Sequence, residues 1–247
     1  MTKIFTNNFA ITNLYQAASE KSEIVTQMIY GDHFEIIKKK GSWYKIKIKE
    51  DGYIGFVLKK TYQQNTLPSH KVSSLKANVY KHPNRRKIIY KLPFGSKIKV
   101  YQKKLNYYKF EKGWVNKKDL KTFNFKDKDI FKKILLFKNV KYKWGGKTFK
   151  GIDCSGLVQI FFNYNNLYCP RDAKDQEKFF RLKININKLK KNDLVFWKGH
   201  VAIILSKQNL IHAYGPMKKT IIMNIFKTIK RIKKTANLNV TSLKRIN

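Results

Sequence analysis

Gly151-Ile152-Asp153-Cys154-Ser155-Gly156-Leu157-Val158-Gln159-Ile160-Phe161-Phe162 is the stretch on which the fold turns. Its apolar residues are too dense for a half-solvated face, so it reads as a mostly buried helix starting near Cys154. Downstream, Asp193-Leu194-Val195-Phe196-Trp197, Val201-Ala202-Ile203-Ile204-Leu205 and Leu210-Ile211-His212-Ala213-Tyr214 have strand texture. Turns at Lys198-Gly199 and Lys207-Gln208-Asn209 join them. A helix followed by antiparallel strands predicts an α+β domain, here over 125–247. Before the glycine loop Trp144-Gly145-Gly146, the spacing of Ile130, Phe131, Ile134, Leu135 and Phe137 predicts a short amphipathic helix. After Pro216, an amphipathic segment from Ile221 to Ile232 and a strand-like run from Leu238 to Ile246 are expected to close the sheet.

Ahead of this region the texture is that of short strands broken by turn residues, as in small β-barrels. It also repeats. Asn13-Leu14-Tyr15 leads to Tyr30-Gly31-Asp32 and then Phe34-Glu35-Ile36-Ile37. Asn78-Val79-Tyr80 leads through His82-Pro83-Asn84 to Pro93-Phe94-Gly95 and then Ile98-Lys99-Val100. The copies end on glycine-led aromatic strands, Gly52-Tyr53-Ile54-Gly55-Phe56-Val57 and Gly113-Trp114-Val115. Two copies of one small barrel, at 1–62 and 72–122, is the economical reading, with 61–71 as linker.

A thiol hydrolase needs a thiolate, a base, a group that orients the base, and donors for an oxyanion. Cys154 sits at the helix start, where backbone N–H groups and the dipole are expected to lower a thiol pKa from about 8.5 towards 7. The same N–H groups can receive an oxyanion. Of five histidines, His200 and His212 fall on neighbouring predicted strands, so a hairpin can bring them together as base and orienter. Taken singly, each signal also suits a packed cysteine or a surface histidine.

In combination they resemble a known family. Tyr142-Lys143-Trp144-Gly145-Gly146, Asp153-Cys154-Ser155-Gly156-Leu157-Val158, Asn192-Asp193-Leu194-Val195-Phe196, Gly199-His200-Val201-Ala202-Ile203 and Ile211-His212-Ala213 stand in the order of the NlpC/P60 papain-like cysteine peptidases. The departure is Asn192 where glycine is usual, a turn position that asparagine tolerates. The resemblance implies an α+β papain-like catalytic domain preceded by two small bacterial SH3-like β-barrels. It implies Cys154 as nucleophile, His200 as general base, His212 as the third, orienting residue and Tyr142 as a hydroxyl near the oxyanion.

The chain is similar over nearly its full length to the subgroup with SH3-like domains, γ-D-glutamyl-L-diamino acid endopeptidases of the dipeptidyl-peptidase VI type. That likeness implies hydrolysis of the γ-D-Glu–diamino acid bond in peptidoglycan stem peptides with a free N-terminal L-Ala, as in muropeptide recycling. Asp153, Ser155 and Tyr53 match the residues that meet the alanine ammonium. Arg171, in Cys169-Pro170-Arg171-Asp172, is expected on a substrate carboxylate or in a surface pair with Asp172 or Asp175. Gln176 is expected near the cleft, and Cys169 is read as structural.

With 54 Lys plus Arg against 15 Asp plus Glu, the net charge is +39, a field that draws polyanions. The lysines are dispersed, however, and alternate with isoleucine in Lys45-Ile46-Lys47-Ile48-Lys49, the pattern of a solvated strand face rather than a basic tail. No obligate nucleic-acid partner is therefore expected. The N-terminus lacks a secretory pattern and no run suits a membrane span, so a cytoplasmic bacterial protein is expected. Two cysteines are too few for a disulfide framework, no metal-ligand cluster is visible, and no cofactor is implied. Because a Cys-His set serves any acyl transfer, an amidase or acyltransferase on another substrate stays open, as does a non-catalytic binder of cell wall or polyanion.

Overall fold

The computed structural model describes residues 3–83 and 87–246. Asn84 of the second repeat lies outside them. The chain divides into two compact units, one of Met1–Asp127 with Lys147–Phe149 and Asn163–Tyr168, the other of Lys128–Gly146, Lys150–Phe162 and Cys169–Asn247.

In the first unit, Ile4–Thr6 (β1), Ile11–Tyr15 (β2), Ile24–Ile29 (β3), His33–Lys40 (β4), Trp43–Ile48 (β5), Ile54–Leu58 (β6) and Gln63–Gln64 (β7) form one sheet. Its order is β3-β2-β6-β5-β4-β1-β7. Period-two alternation buries Ile46 and Ile48 with Leu14, Met28, Phe34 and Val57, while Lys47 between them faces water. Residues 61–71 are not a bare linker. Gln63 and Gln64 pair with Thr6 and Phe5, extending the first sheet beside β1.

His70–Val72 (β8), Lys76–Tyr80 (β9), Ile88–Pro93 (β10), Lys97–Ile98 (β11), Gln102–Lys104 (β12), Tyr107–Phe110 (β13), Gly113–Asn116 (β14) and Leu120–Thr122 (β15) follow. They form a five-stranded sheet, β10-β9-β14-β13-β12, and a three-stranded one, β11-β8-β15. Val72, Ala77, Val79, Leu92, Ile98, Phe110, Val115 and Leu120 fill their core. The repeated glycines have a clear cause. Gly31 (φ +87°) and Gly95 (φ +82°) take left-handed turns after β3 and β10, and a Cβ on Gly31 would lie 2.3 Å from the Lys97 carbonyl oxygen.

Lys147–Thr148 (β16) and Gly151–Ile152 (β17) lead to Cys154–Tyr164 (α1) and Ala173–Phe179 (α2). Then come Leu182–Lys183 (β18), Leu194–Trp197 (β19), His200–Ile204 (β20), Asn209–Tyr214 (β21), Lys219–Asn224 (β22), Ile225–Ala236 (α3) and Val240–Arg245 (β23). The sheet of the second unit runs β18-β23-β19-β20-β21-β22, so β23 closes between β18 and β19. The segment Ile221–Ile232 is not one amphipathic element. It changes from strand to helix at Asn224, whose Oδ1 accepts the Lys227 N–H at 3.1 Å and caps α3.

Residues 130–137 also differ from their expected helix: only Ile134–Phe137 forms a 3₁₀ turn. Asp129 Oδ1 takes the Phe131 N–H at 3.0 Å, and Asn139 turns the chain at φ +66°. A helical segment this short cannot repay its nucleation. The apolar spacing reflects packing instead: Phe131 and Phe137 sit against Phe161 of α1 at 5.8 and 5.5 Å between ring centroids. This aromatic contact anchors the middle of α1 and so places its first residue.

Candidate active site

Cys154 opens α1, and its position is set by the residue before it. Asp153 accepts the Gly156 N–H at Oδ1 (2.7 Å) and the Gly145 N–H at Oδ2 (2.8 Å). One carboxylate thus caps the helix and holds the glycine loop beside it. Gly156 has no room for a side chain, since a Cβ would fall 2.5 Å from the Gly146 carbonyl oxygen.

Arg171 completes the arrangement, and here the structure corrects its expected place. It is not on the surface, and the carboxylate it grips is that of Asp153. Its guanidinium is 1% exposed and grips Asp153 with both nitrogens, Nη1 to Oδ1 at 3.0 Å and Nη2 to Oδ2 at 2.5 Å. Nη1 also donates to Ser155 Oγ at 2.9 Å. A carboxylate held out of water needs such a partner, and the planar fork of arginine matches it. Gln176 of α2 donates to the carbonyls of Ser155 and Pro170, both at 2.9 Å, tying α2 to the start of α1. Cys169 is buried and its carbonyl accepts from Gln159 at 3.0 Å.

Cys154 Sγ lies 4.0 Å from the carbonyl oxygen of Gly199, and the N–H of Val201 points at it. The sulfur therefore stands against the turn from which β20 starts, whose first residue is His200. His200 Nε2 and His212 Nδ1 are 2.8 Å apart. Trp197 lies 5.6 Å from the His200 ring, and Tyr214 stacks on His212 at 4.6 Å with planes 10° apart. Strand alternation explains the grouping: 212 and 214 share one face of β21, and Trp197 pairs with His200 across β19 and β20. The remaining ring nitrogen of the fully buried His212, Nε2, is 3.4 Å from Met223 Sδ on β22. Tyr142 precedes the glycine loop, bridges to Ile152, and is close enough to Cys154 and Asp153 to feel their charges.

The electrostatics differ from the expectation at Cys154. Burial, followed by the negative charge of Asp153, pushes the Cys154 thiol up to about 12. The N–H groups of Val201 and Ser155 and the Arg171 cation pull the other way and are outweighed. Burial likewise drives His200 down to about 4 and His212 well below the usual imidazole range. Tyr142 is raised by burial and by Cys154 and Asp153, so its hydroxyl keeps its proton. At neutral pH the site rests as thiol, two neutral imidazoles and a phenol.

Cys154, His200, His212, Tyr142, Asp153 and Ser155 thus lie in one unit. Tyr53 belongs to the other, after the left-handed Gly52, with its N–H on Asp51 Oδ1 at 2.9 Å and its ring against the first core. Arg171 as the partner of Asp153 was not foreseen. The segment Cys169-Pro170-Arg171-Asp172 drew notice, but nothing local says which carboxylate it meets. Met223 carries no sequence signal. Among the described residues no group of three or more His, Cys, Asp or Glu could hold a metal ion, and no helix is long and apolar enough to cross a membrane.

Residues 139–235 match the NlpC/P60 family, and residues 14–61 match the bacterial dipeptidyl-peptidase SH3 domain. The gamma-D-glutamyl-L-lysine dipeptidyl-peptidase of Bacillus subtilis is 26% identical over 233 residues, covering 83% of this chain and 77% of that protein. Dipeptidyl-peptidase 6 of Lysinibacillus sphaericus is 43% identical over 72 residues, 29% of this chain and 27% of its own length. The crystal structure of an NlpC/P60 family protein from Bacillus cereus superposes with a TM-score of 0.83 over 98% of this chain and 99% of its own, at 19% identity, a likeness of fold.

Proposed function

We propose, on the premise that this chain is a cysteine peptidase with an NlpC/P60 domain behind a bacterial SH3 domain, that it hydrolyses the γ-D-Glu–diamino acid bond of peptidoglycan stem peptides. The observation that carries the chemistry is the sequence of contacts from Cys154 to the Gly199–Val201 turn and on through the 2.8 Å His200–His212 contact. The comparison that carries the substrate is the likeness to gamma-D-glutamyl-L-lysine dipeptidyl-peptidases over most of both chains.

In this reading His200 takes the Cys154 proton as sulfur attacks the scissile carbonyl carbon, so proton transfer accompanies attack. A thiol near 12 beside an imidazole near 4 does not hold a standing ion pair. The oxyanion is met by the Tyr142 hydroxyl and backbone N–H groups at the start of α1. Collapse returns the proton from His200 to the leaving amine. Water, deprotonated by the same imidazole, then cleaves the thioester and restores the thiol.

The free N-terminal L-Ala is read by Asp153 and Ser155. Supporting this, Asp153 and Ser155 flank the nucleophile and share one hydrogen-bond network through Arg171. Because Arg171 already balances the Asp153 charge, the hydroxyl of Ser155 carries much of the discrimination. We read the sheets of residues 70–122 as a second SH3-like barrel, supported by the repeated glycine turns. Peptides with a free alanine arise once stems leave the glycan, so the process is recycling of released muropeptides.

The test uses L-Ala-γ-D-Glu-meso-diaminopimelate, its L-Lys analogue and the N-acetylated forms. Release of L-Ala-γ-D-Glu from the free peptides, and little from the acetylated ones, is the expected result. Equal cleavage of both forms removes the ammonium pocket; no cleavage of any removes the substrate assignment.

A further inference from the structure

The two histidines form a chain whose protons can be arranged in two ways, and the atom at its far end chooses between them. If His212 carries its proton on Nε2, its Nδ1 is an acceptor. His200 then donates from Nε2 across the 2.8 Å contact and keeps a lone pair on Nδ1. If His212 carries its proton on Nδ1, it donates to His200 Nε2. The only proton of neutral His200 is then on Nδ1, where it blocks uptake of another from a thiol. His212 is fully buried, so water cannot settle the matter.

His212 Nε2 faces Met223 Sδ at 3.4 Å. A thioether has lone pairs and no proton, so it can accept an N–H and cannot donate one. An unprotonated Nε2 would set two lone pairs against each other in a dry place. The strand register makes this contact durable: Ile221 on β22 lies opposite His212, and Met223, two residues on and on the same face, is its diagonal neighbour. Met223 also packs beside Leu210 and Ile225 in the core of this unit, which limits its movement.

We propose that Met223 is a positioning residue that locks the His212–His200 pair in the tautomer with a free Nδ1 on His200, acting as a proton acceptor at the end of the chain. The proposal rests on His200 serving as the general base. It goes beyond that reading by placing the choice of tautomer outside the two rings, in a thioether.

The test compares wild type, Met223→Leu and Met223→Glu at pH 7, with ¹⁵N NMR of the histidine rings and steady-state cleavage of L-Ala-γ-D-Glu-diaminopimelate. Leucine keeps the volume and removes the acceptor; glutamate restores an acceptor that carries no proton when ionised. Expected are an N–H-type Nε2 on His212 in wild type, a shift towards mixed tautomers in Met223→Leu, and a kcat about tenfold lower at unchanged KM, the loss of one hydrogen bond's free energy. Met223→Glu should return the N–H-type signal and most of kcat. A pyridine-type Nε2 on wild-type His212 overturns the proposal. So does a leucine variant with unaltered ring signals, whether or not kcat falls. If the ring signals behave as expected while no protein cleaves the peptide, the tautomer lock stands and the substrate assignment falls.

Discussion

In the first unit Lys97 reaches two carboxylates, Asp32 at 3.2 Å and Glu50 at 2.5 Å, and Glu50 also meets His33 Nδ1 at 3.2 Å. In the second unit Cys154 and His212 are also held from water and His200 is partly so, with no full opposite charge on any of them. Burial acts on both clusters and the outcomes are opposite. Burial would raise Glu50, yet Lys97 and His33 overcome it and hold the carboxyl at about 2. Lys97 stays charged for the same reason. At the active site nothing overcomes burial, so the thiol rises, both imidazoles fall, and every member rests neutral. A buried charge survives where a partner meets it, and a buried reactive group stays uncharged where none does. Asp153 and Arg171 show both rules at once: they are a paired charge inside a neutral site.

The strongest break is Cys154→Ala. It should abolish tripeptide cleavage, by at least about 10⁴-fold in kcat as for other nucleophile deletions. Chemical denaturation should show little change, because the thiol carries no charge. Lys97→Met attacks the other cluster. Two buried carboxylates lose their cation, and unfolding free energy should drop by about 3–5 kcal/mol by urea titration. Kinetic constants per folded molecule should hardly move.

Tyr142→Phe keeps the ring and removes the hydroxyl that the proposed mechanism sets at the oxyanion. A fall of about 10²-fold in kcat with KM nearly constant is expected from steady-state kinetics. The smallest effect sharpens the contrast by acid. His200 is depressed to about 4, so above about 6.5 its contribution to stability is complete. Between about 6.5 and about 4 the unfolded chain binds more protons than the folded one, and the contribution is lost as pH falls. Glu50 is depressed to about 2, so its contribution persists to lower pH and is lost as pH falls from its ordinary range through about 2. Hydrogen exchange at pH 4.5 should therefore show the second unit loosening while the first stays protected. The acid limb of kcat/KM should lie near 4.

Most of the site was legible in one dimension because its chemistry is local. Asp153-Cys154-Ser155-Gly156 is a helix start whose cap, thiol and tight glycine lie within four residues. His200 and His212 sit on strands joined by one short turn, so alternation alone brings them near each other. The failures share a cause. The aromatic spacing at 130–137 predicted a helix, and the residues instead pack against α1 with a single 3₁₀ turn. Lysine dispersion suggested solvated faces, and Lys97 is nevertheless buried against carboxylates from a distant part of its unit. A periodic pattern shows which residues are apolar or charged, not what they meet.

Sequence alone therefore determined the helix that carries Cys154, the two histidine strands and the family likeness. Each rests on short-range order: a cap, an alternation, a left-handed turn that wants glycine. Only the tertiary structure decided the charge states and the partners of the site residues. These depend on depth below the surface and on contacts between residues far apart in the chain: Arg171 on Asp153, Val201 N–H on the sulfur, Met223 on His212. Local helix chemistry pointed to a standing thiolate at Cys154. Burial, a property of the whole unit, keeps it a thiol.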